Sequence, residues 1–241
     1  MTTTRDGARE QRRQPWALEI VRSYVGRKWV MAITGVIWLG YLLAHMIGNL
    51  KLYLGPEAID HYGEALRDLG GELAPRTHVL WALRIVLLAA FVFHIWAAYS
   101  LTLTKWRARG GRYDRRDYIA ASYASRTMAW TGTIVLLFVL FHLADLTWGT
   151  PPAATDAFSR GDVYANLVAS FERLPVAILY IAANLALGLH VFHGTWSLFQ
   201  SLGWSHPRFN RWRRYAAWVF TAVIVAGNLS FPIAVQVGIV S

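Results

Sequence analysis

The chain has 241 residues, of which 55% are hydrophobic and only 16% are charged, too little charge to cover the surface of a soluble domain. The composition therefore excludes a soluble globular protein and predicts an integral membrane protein. The absence of cysteine excludes disulfides, thiolate nucleophiles and iron–sulfur clusters held by this chain, so any such cluster would reside in another subunit.

Five continuous apolar segments are each long enough, at about 20 residues, to cross a membrane as a helix. In chain order they cover residues 29–52, 77–103, 126–148, 174–201 and 215–239. Because these segments do not alternate between apolar and polar residues, they predict helices and not a β-barrel. We expect an all-α membrane protein, a four-helix bundle plus a fifth helix in residues 29–241. A polar cytoplasmic segment of residues 1–28, with no secretory signal pattern, precedes it.

The basic residues indicate the orientation of the spans. Of the 24 Lys and Arg, seven precede the first span, six lie between residues 105 and 116, and four lie between 208 and 214. The other two connections are richer in acids, so the N-terminus is expected to face the cytoplasm and the C-terminus the outside. The net charge of +10 thus reflects topology and contact with lipid headgroups or a partner protein, and it does not indicate nucleic acid binding.

A short motif with a following histidine occurs twice. MAITG at residues 31–35 returns as MAWTG at residues 128–132, and each copy is followed at the same spacing by a histidine, His45 and His142. Two more histidines in apolar segments, His94 and His190, are separated by 96 positions (94 to 190), against 97 for the first pair (45 to 142). A repeated pair of helices produces this register. A histidine in a lipid-spanning helix is costly unless it has a partner or a ligand.

Helix rise places the four histidines at two depths. His45 and His142 lie roughly 10 Å from the outer ends of their helices, whereas His94 and His190 lie roughly 15 Å from the cytoplasmic ends. Two imidazoles facing each other across a bundle fill both axial positions of a low-spin haem iron, which predicts two electron-carrying haems. The alternative is that the histidines bond neighbouring helices or line a proton path. His193, one turn beyond His190, stays open as the fourth ligand.

The stretches Gly26 to Gly55, Thr131 to Gly149 and Leu189 to Trp204, together with His94, carry a resemblance to a known family. They resemble the single-chain dihaem cytochrome b membrane anchor of bacterial succinate dehydrogenases and fumarate reductases. In that family the fourth axial histidine is followed four residues on by glycine and six on by an aromatic residue. Gly194 and Trp196 follow His190 in this way, so the resemblance implies that His190 is the ligand.

The resemblance implies a place in respiratory complex II, in electron transport linked to the tricarboxylic acid cycle. A flavoprotein partner would oxidise succinate, and an iron–sulfur partner would pass electrons to this quinone-reactive subunit, whose two b haems lead to quinone, with menaquinone the expected species. The location implied is the bacterial plasma membrane, with the catalytic partners on the cytoplasmic side. The direction of turnover, the position of the quinone and a higher oligomer stay open.

Other side chains near the span ends are candidates for the same sites. Arg84 lies inside the second span, a costly place unless it pairs with an anion such as a haem propionate, and Arg126 at the start of the third span is a second propionate candidate. Asp145, near His142, is expected to carry protons at an outer quinone site or to cap its helix. The quinone candidates, which are also ordinary interface residues, are Ser23, Arg27, Trp196, Ser197 and Gln200.

Two other functions stay open at this point. A dihaem cytochrome b anchor of another respiratory oxidoreductase, such as a hydrogenase or formate dehydrogenase, would keep the histidines and change the partners. A haem-free transporter or scaffold would use the histidines for packing or proton transfer. The sequence lacks the paired Gly or Pro interruptions in corresponding halves that favour a transporter.

Overall fold

The computed structural model describes residues 19, 21–108, 123–204 and 206–241, and within that part it is helical with no strand. Five long helices, each apolar enough to cross a membrane, confirm the all-α class and the five predicted spans. Residues 1–18 of the predicted tail and the basic residues from 109 to 116 lie outside the described part. The long helices are α1 (Tyr24–Asn49), α3 (His78–Ala108), α4 (Tyr123–Leu143), α6 (Leu174–Ser201) and α7 (Asn210–Gln236), and the two short ones are α2 (Pro56–Ala65) and α5 (Val163–Glu172).

Local backbone geometry explains where the first span begins and where the third span ends. Ser23 caps α1 by accepting the backbone N–H of Gly26 at 2.9 Å. The span then continues through a 3₁₀ turn, Leu50–Leu54. Helix α4 widens at its end into a π turn, Ala144–Trp148, which stops at a left-handed Gly149. A π turn of this kind re-aims the side chains that it carries.

The last helix ends earlier than the sequence predicts. It stops at Gln236, whereas the predicted span extends to residue 239. The reason is a reversal at Gly238, whose φ is 74°, so that the N–H of Ile239 bonds back to the carbonyl of Ala234 at 2.8 Å. An apolar sequence continues past this turn, which is why hydropathy alone overestimates the helix.

Helix α6 is the centre of the bundle. It packs along α4 on one side and α7 on the other, while α1 packs mainly against α3 and also contacts α6 and α7. A Cβ added at Gly188 would lie 2.7 Å from Val225, so the close approach of α6 and α7 depends on glycine there. Large apolar side chains cover the outer surfaces, as expected for helices that face lipid.

The two short helices form a cap over the end of the bundle where α1 and α4 finish. Ile59 of α2 and Phe171 of α5 are buried in one hydrophobic cluster with Leu52 and Phe231. Asp60 accepts the N–H groups of Val163 and Tyr164, at 2.7 and 3.0 Å, at the start of α5. The connections that the sequence analysis treated only as acidic loops are therefore a folded cap.

Candidate cofactor site

The first histidine pair lies near the capped end of the bundle. His45 on α1 and His142 on α4 have ring centroids 5.9 Å apart and ring planes at 83°. Tyr41 stacks on His45 with centroids 5.3 Å apart and planes at 13°. Asn49, one turn further on, places its side-chain nitrogen 3.3 Å from Nε2 of His45. A metal bound at that Nε2 would take the place of the Asn49 contact.

The second pair lies nearer the opposite end, where α1 begins. His94 on α3 and His190 on α6 have ring centroids 6.4 Å apart and ring planes at 67°. Thr34 contacts His94 and precedes His45 by eleven positions (34 to 45), so the two pairs lie about 16 Å apart along the bundle axis. The structure thus brings together the same pairs that the depth argument groups.

Hydrogen bonds define the tautomers at the second pair. The Oγ1 of Thr34 lies 2.7 Å from the carbonyl of Val30 and 3.1 Å from Nδ1 of His94. A hydroxyl that donates its hydrogen to the carbonyl can only accept from the imidazole, so Nδ1 of His94 carries the proton. Its Nε2 is then unprotonated and free to bind a metal.

The repeated motif makes the same contact twice. Thr131 lies 3.1 Å from the carbonyl of Thr127 and 3.4 Å from Nδ1 of His190, so it supports His190 as Thr34 supports His94. The glycine of the motif is equally placed, because a Cβ at Gly132 would lie 3.1 Å from Cε1 of His190. In the sequence the motif marks only the repeat, and these contacts could not be predicted from it. The sequence signal that accompanies these contacts is the Thr-Gly dipeptide, which recurs at the same spacing before His45 and His142.

The geometry of both pairs fits a haem iron. Two imidazoles on opposite sides of one metal, each bonded at about 2 Å, have ring centroids about 6 Å apart. Within the described part of the chain, each pair offers two imidazoles and no third His, Asp or Glu, which is the protein donor set of a bis-histidine haem. Among the described residues, helices α1 and α4 do not pack along each other, and neither do α3 and α6. The donor set and the spacing therefore suit two bis-imidazole haems better than two bare metal ions.

A buried polar network lies behind the first pair. Nδ1 of His142 lies 3.3 Å from the hydroxyl of Tyr180 on α6, and this hydroxyl donates to Oδ2 of Asp145 at 2.9 Å. Asp145, only 1% exposed, also accepts from Ser170 at 2.5 Å and from Arg173 at 2.8 Å. Its carboxylate thus points toward α5 and α6 and does not cap α4. Tyr180 gave no signal in the sequence, since only the fold brings it to His142.

Of the two arginines proposed for propionates, only Arg84 has a described side chain. The Arg84 guanidinium lies 5.2 Å from the centroid of the Trp81 ring, and its side chain is exposed. Among the described residues it forms no ion pair with an acid. Arg126 belongs to the first turn of α4, and its side chain lies outside the described part.

Three of the five quinone candidates form hydrogen bonds with their own or a neighbouring helix. Ser23 caps α1, and Arg27 bonds the carbonyl of Ser100 and the hydroxyl of Thr104 on α3, so both serve the packing of the helix ends. Ser197 donates to the carbonyl of Gly194 within its own helix, and Gln200 is exposed.

Two ring nitrogens on α6 are buried without a partner in the described part of the chain. They are Nε1 of Trp196 and Nδ1 of His193. The Arg214 guanidinium lies 5.8 Å from the Trp196 ring. The ring contact of His94 is with His190, at 6.4 Å. This arrangement favours His190 over His193 as the partner of His94.

Residues 112–229 match the family model of the succinate dehydrogenase/fumarate reductase transmembrane subunit. The match includes His142 and His190, and it covers the third and fourth spans and most of the fifth. It confirms the family resemblance carried by the sequence motifs. Neither the curated proteins nor the solved structures include a significant match to the chain.

Proposed function

We propose that this chain, a multi-pass protein matching the succinate dehydrogenase/fumarate reductase transmembrane subunit family, is the membrane-anchor cytochrome b subunit of such a complex. The observation that carries the proposal is the two facing histidine pairs, His45 with His142 and His94 with His190. They lie at separate levels of a bundle whose halves repeat. A packing or proton-path role would require neither the pairing nor the spacing of about 6 Å suited to a shared metal.

The residues that would hold two b haems are the four histidines, with Arg84 and Arg126 as candidates for the propionates. A haem held by two imidazoles would supply one-electron transfer and would leave no position for oxygen or substrate. The chain's own part is to orient the ligands. The hydroxyls of Thr34 and Thr131 form hydrogen bonds with Nδ1 of His94 and His190, respectively. The ring of Tyr41 stacks on His45.

The charge distribution supports an orientation in which the bundle end at the start of α1 faces the cytoplasm and the C-terminus faces outside. That end would receive the iron–sulfur subunit, with the flavoprotein subunit that oxidises succinate beyond it. Menaquinone is the expected acceptor in a bacterial plasma membrane. Trp196 is our preferred quinone contact, because its buried indole N–H has no partner in the described part of the chain.

The first test is the haem content and the response to succinate. Purified with its flavoprotein and iron–sulfur partners, the chain is expected to contain about two b haems per copy, both reduced on addition of succinate. Haem extraction assays and reduced-minus-oxidised spectra measure both properties. A haem-free complex would contradict the proposal. Haems reduced by hydrogen or formate, and not by succinate, would favour the other respiratory anchors.

Gly132 offers a test of the second pair that leaves the histidines in place. Gly132→Val is expected to lose the haem at His94 and His190, because a side chain there meets the His190 ring. The overpacking is expected to cost about 1–3 kcal/mol of stability. Gly40→Val is the matched control, since a Cβ at Gly40 has nothing within 4 Å. Full haem retention in Gly132→Val would show that His190 is not held in its observed position.

A further inference from the structure

The carboxylate of Asp145 is buried next to the first histidine pair and is fully engaged by donors. Three groups surround it: Tyr180 at 2.9 Å, Ser170 at 2.5 Å and Arg173 at 2.8 Å. Ser170 and Asp145 are each only 1% exposed. A buried carboxylate needs this number of partners to offset its desolvation. The three donors therefore define the position of the carboxylate beside the first histidine pair.

Tyr180 connects this network to His142. A phenol has one hydrogen, and since Asp145 can only accept, the Tyr180 hydroxyl donates to it. The same oxygen lies 3.3 Å from Nδ1 of His142 and must accept a hydrogen from that nitrogen. His142 is thereby held as the tautomer protonated at Nδ1, with Nε2 available for a metal.

The Tyr180 ring is buried and packed between aromatic side chains in this position. It is 4% exposed and meets Phe171 and Phe138 edge-on, with ring centroids 4.8 and 5.0 Å apart. Phe141 contacts it at 6.1 Å. Two aromatic residues from α4 and one from α5 thus hold the hydroxyl between Asp145 and His142.

The two histidine pairs differ in the hydroxyl group that accepts a hydrogen bond from the imidazole Nδ1. His94 and His190 each face a threonine hydroxyl whose own hydrogen goes to a neutral backbone carbonyl. His142 instead faces a phenol polarised by a carboxylate. A hydrogen bond to such a charge-assisted acceptor is stronger than one to a neutral acceptor. It makes Nε2 of the imidazole a better donor to a metal.

We infer that Tyr180 is a positioning residue of the His45/His142 site, which orients His142 and transmits the charge of Asp145 to it. The inference rests on the proposed function, since it concerns the haem that these histidines would hold. A more basic axial imidazole stabilises the ferric state more than the ferrous state. The Tyr180–Asp145 contact would therefore lower the midpoint potential of a haem held at this pair and leave a haem at the other pair unaffected.

Tyr180→Phe in the purified complex tests the inference by redox titration of each haem and by electron paramagnetic resonance. We expect both haems to be retained and the His45/His142 haem to become easier to reduce. The ratio of reduced to oxidised haem at a given potential should rise about tenfold, which is 59 mV for a one-electron couple. The resonance of this ferric haem should also change, because the ring of His142 is no longer held at its observed angle.

Two further variants separate this role from a general loss of packing. Asp145→Asn keeps Tyr180 but removes the charge, and a smaller shift in the same direction is expected. It also provides the test if Tyr180→Phe fails to fold. Tyr164→Phe is the matched control, because that hydroxyl bonds the backbone of Ser241 in the cap, and neither haem should shift.

The outcomes distinguish this inference from the function on which it rests. Two haems with unchanged potentials in Tyr180→Phe and Asp145→Asn would overturn the role of Tyr180 and leave the cytochrome assignment intact. An equal shift of both haems, or the same shift in Tyr164→Phe, would also overturn it. Absence of haem from the unmodified complex would overturn both.

Discussion

His142→Ala is expected to remove one of two b haems and to leave the other in place. His142 and His45 face each other at 5.9 Å, so either ring alone leaves an axial position empty and the haem weakly held. The haem content should fall from about two to about one per chain, and His45→Ala should lose the same haem. Haem assays and redox titration of the variants, purified as complexes, measure this.

A double variant tests whether His45 and His142 hold the same haem. If His45 and His142 hold one haem together, His45→Ala/His142→Ala should retain as much haem as either single variant, because both changes remove the same group. His61→Ala is the control, since this exposed histidine lies in α2 of the cap. Loss of different haems in the two single variants would show that the facing rings do not share one iron.

His190→Ala is expected to lose the other haem, while His193→Ala retains both. The ring of His94 meets His190 at 6.4 Å, and the hydroxyl of Thr131 lies 3.4 Å from Nδ1 of His190. His193 has a buried Nδ1 without a partner in the described part of the chain. Its loss can therefore alter quinone reduction or stability without removing a ligand. Spectra at the His94/His190 haem band and succinate-driven quinone reduction distinguish the two effects.

The opposite result would identify a different fourth ligand. If His193→Ala loses a haem and His190→Ala does not, the fourth ligand lies one turn further along α6. The contact of Thr131 with His190 would then be structural only. His94→Ala serves as the reference, since it removes the shared partner in either case and should lose the haem at this level.

The four histidines could be found from the sequence because helices convert spacing into depth. Two histidines at equal distance from the same-side ends of two parallel spans must lie at one level, whatever the helix rotations are. Arg84 shows the limit of this reasoning. The depth of Arg84 in the membrane could be predicted from its position along the helix, but the direction of its side chain could not. The fold places this side chain on an exposed surface against Trp81.

Contacts between distant segments could not be read in the same way. Tyr180 lies 38 positions from His142 (142 to 180), and only the packing of α6 against α4 brings the two together. Asp145 was visible as an acid near a histidine. The direction of its carboxylate, however, depends on the π turn that follows α4 and on the cap helix α5. Neither element could be predicted from the hydropathy of the sequence.

The class, the number of spans, the two histidine levels and the family resemblance could all be predicted from the amino-acid sequence. Each of these follows from composition or from one-dimensional spacing, because lipid requires continuous apolar helices and a helix has a constant rise. The tertiary structure alone decided which side chains support the histidines. Support depends on helix rotation and on packing between segments far apart in the chain. The repeated Thr-Gly motif shows the difference, since its position was evident but its contact with His94 and His190 needed the fold.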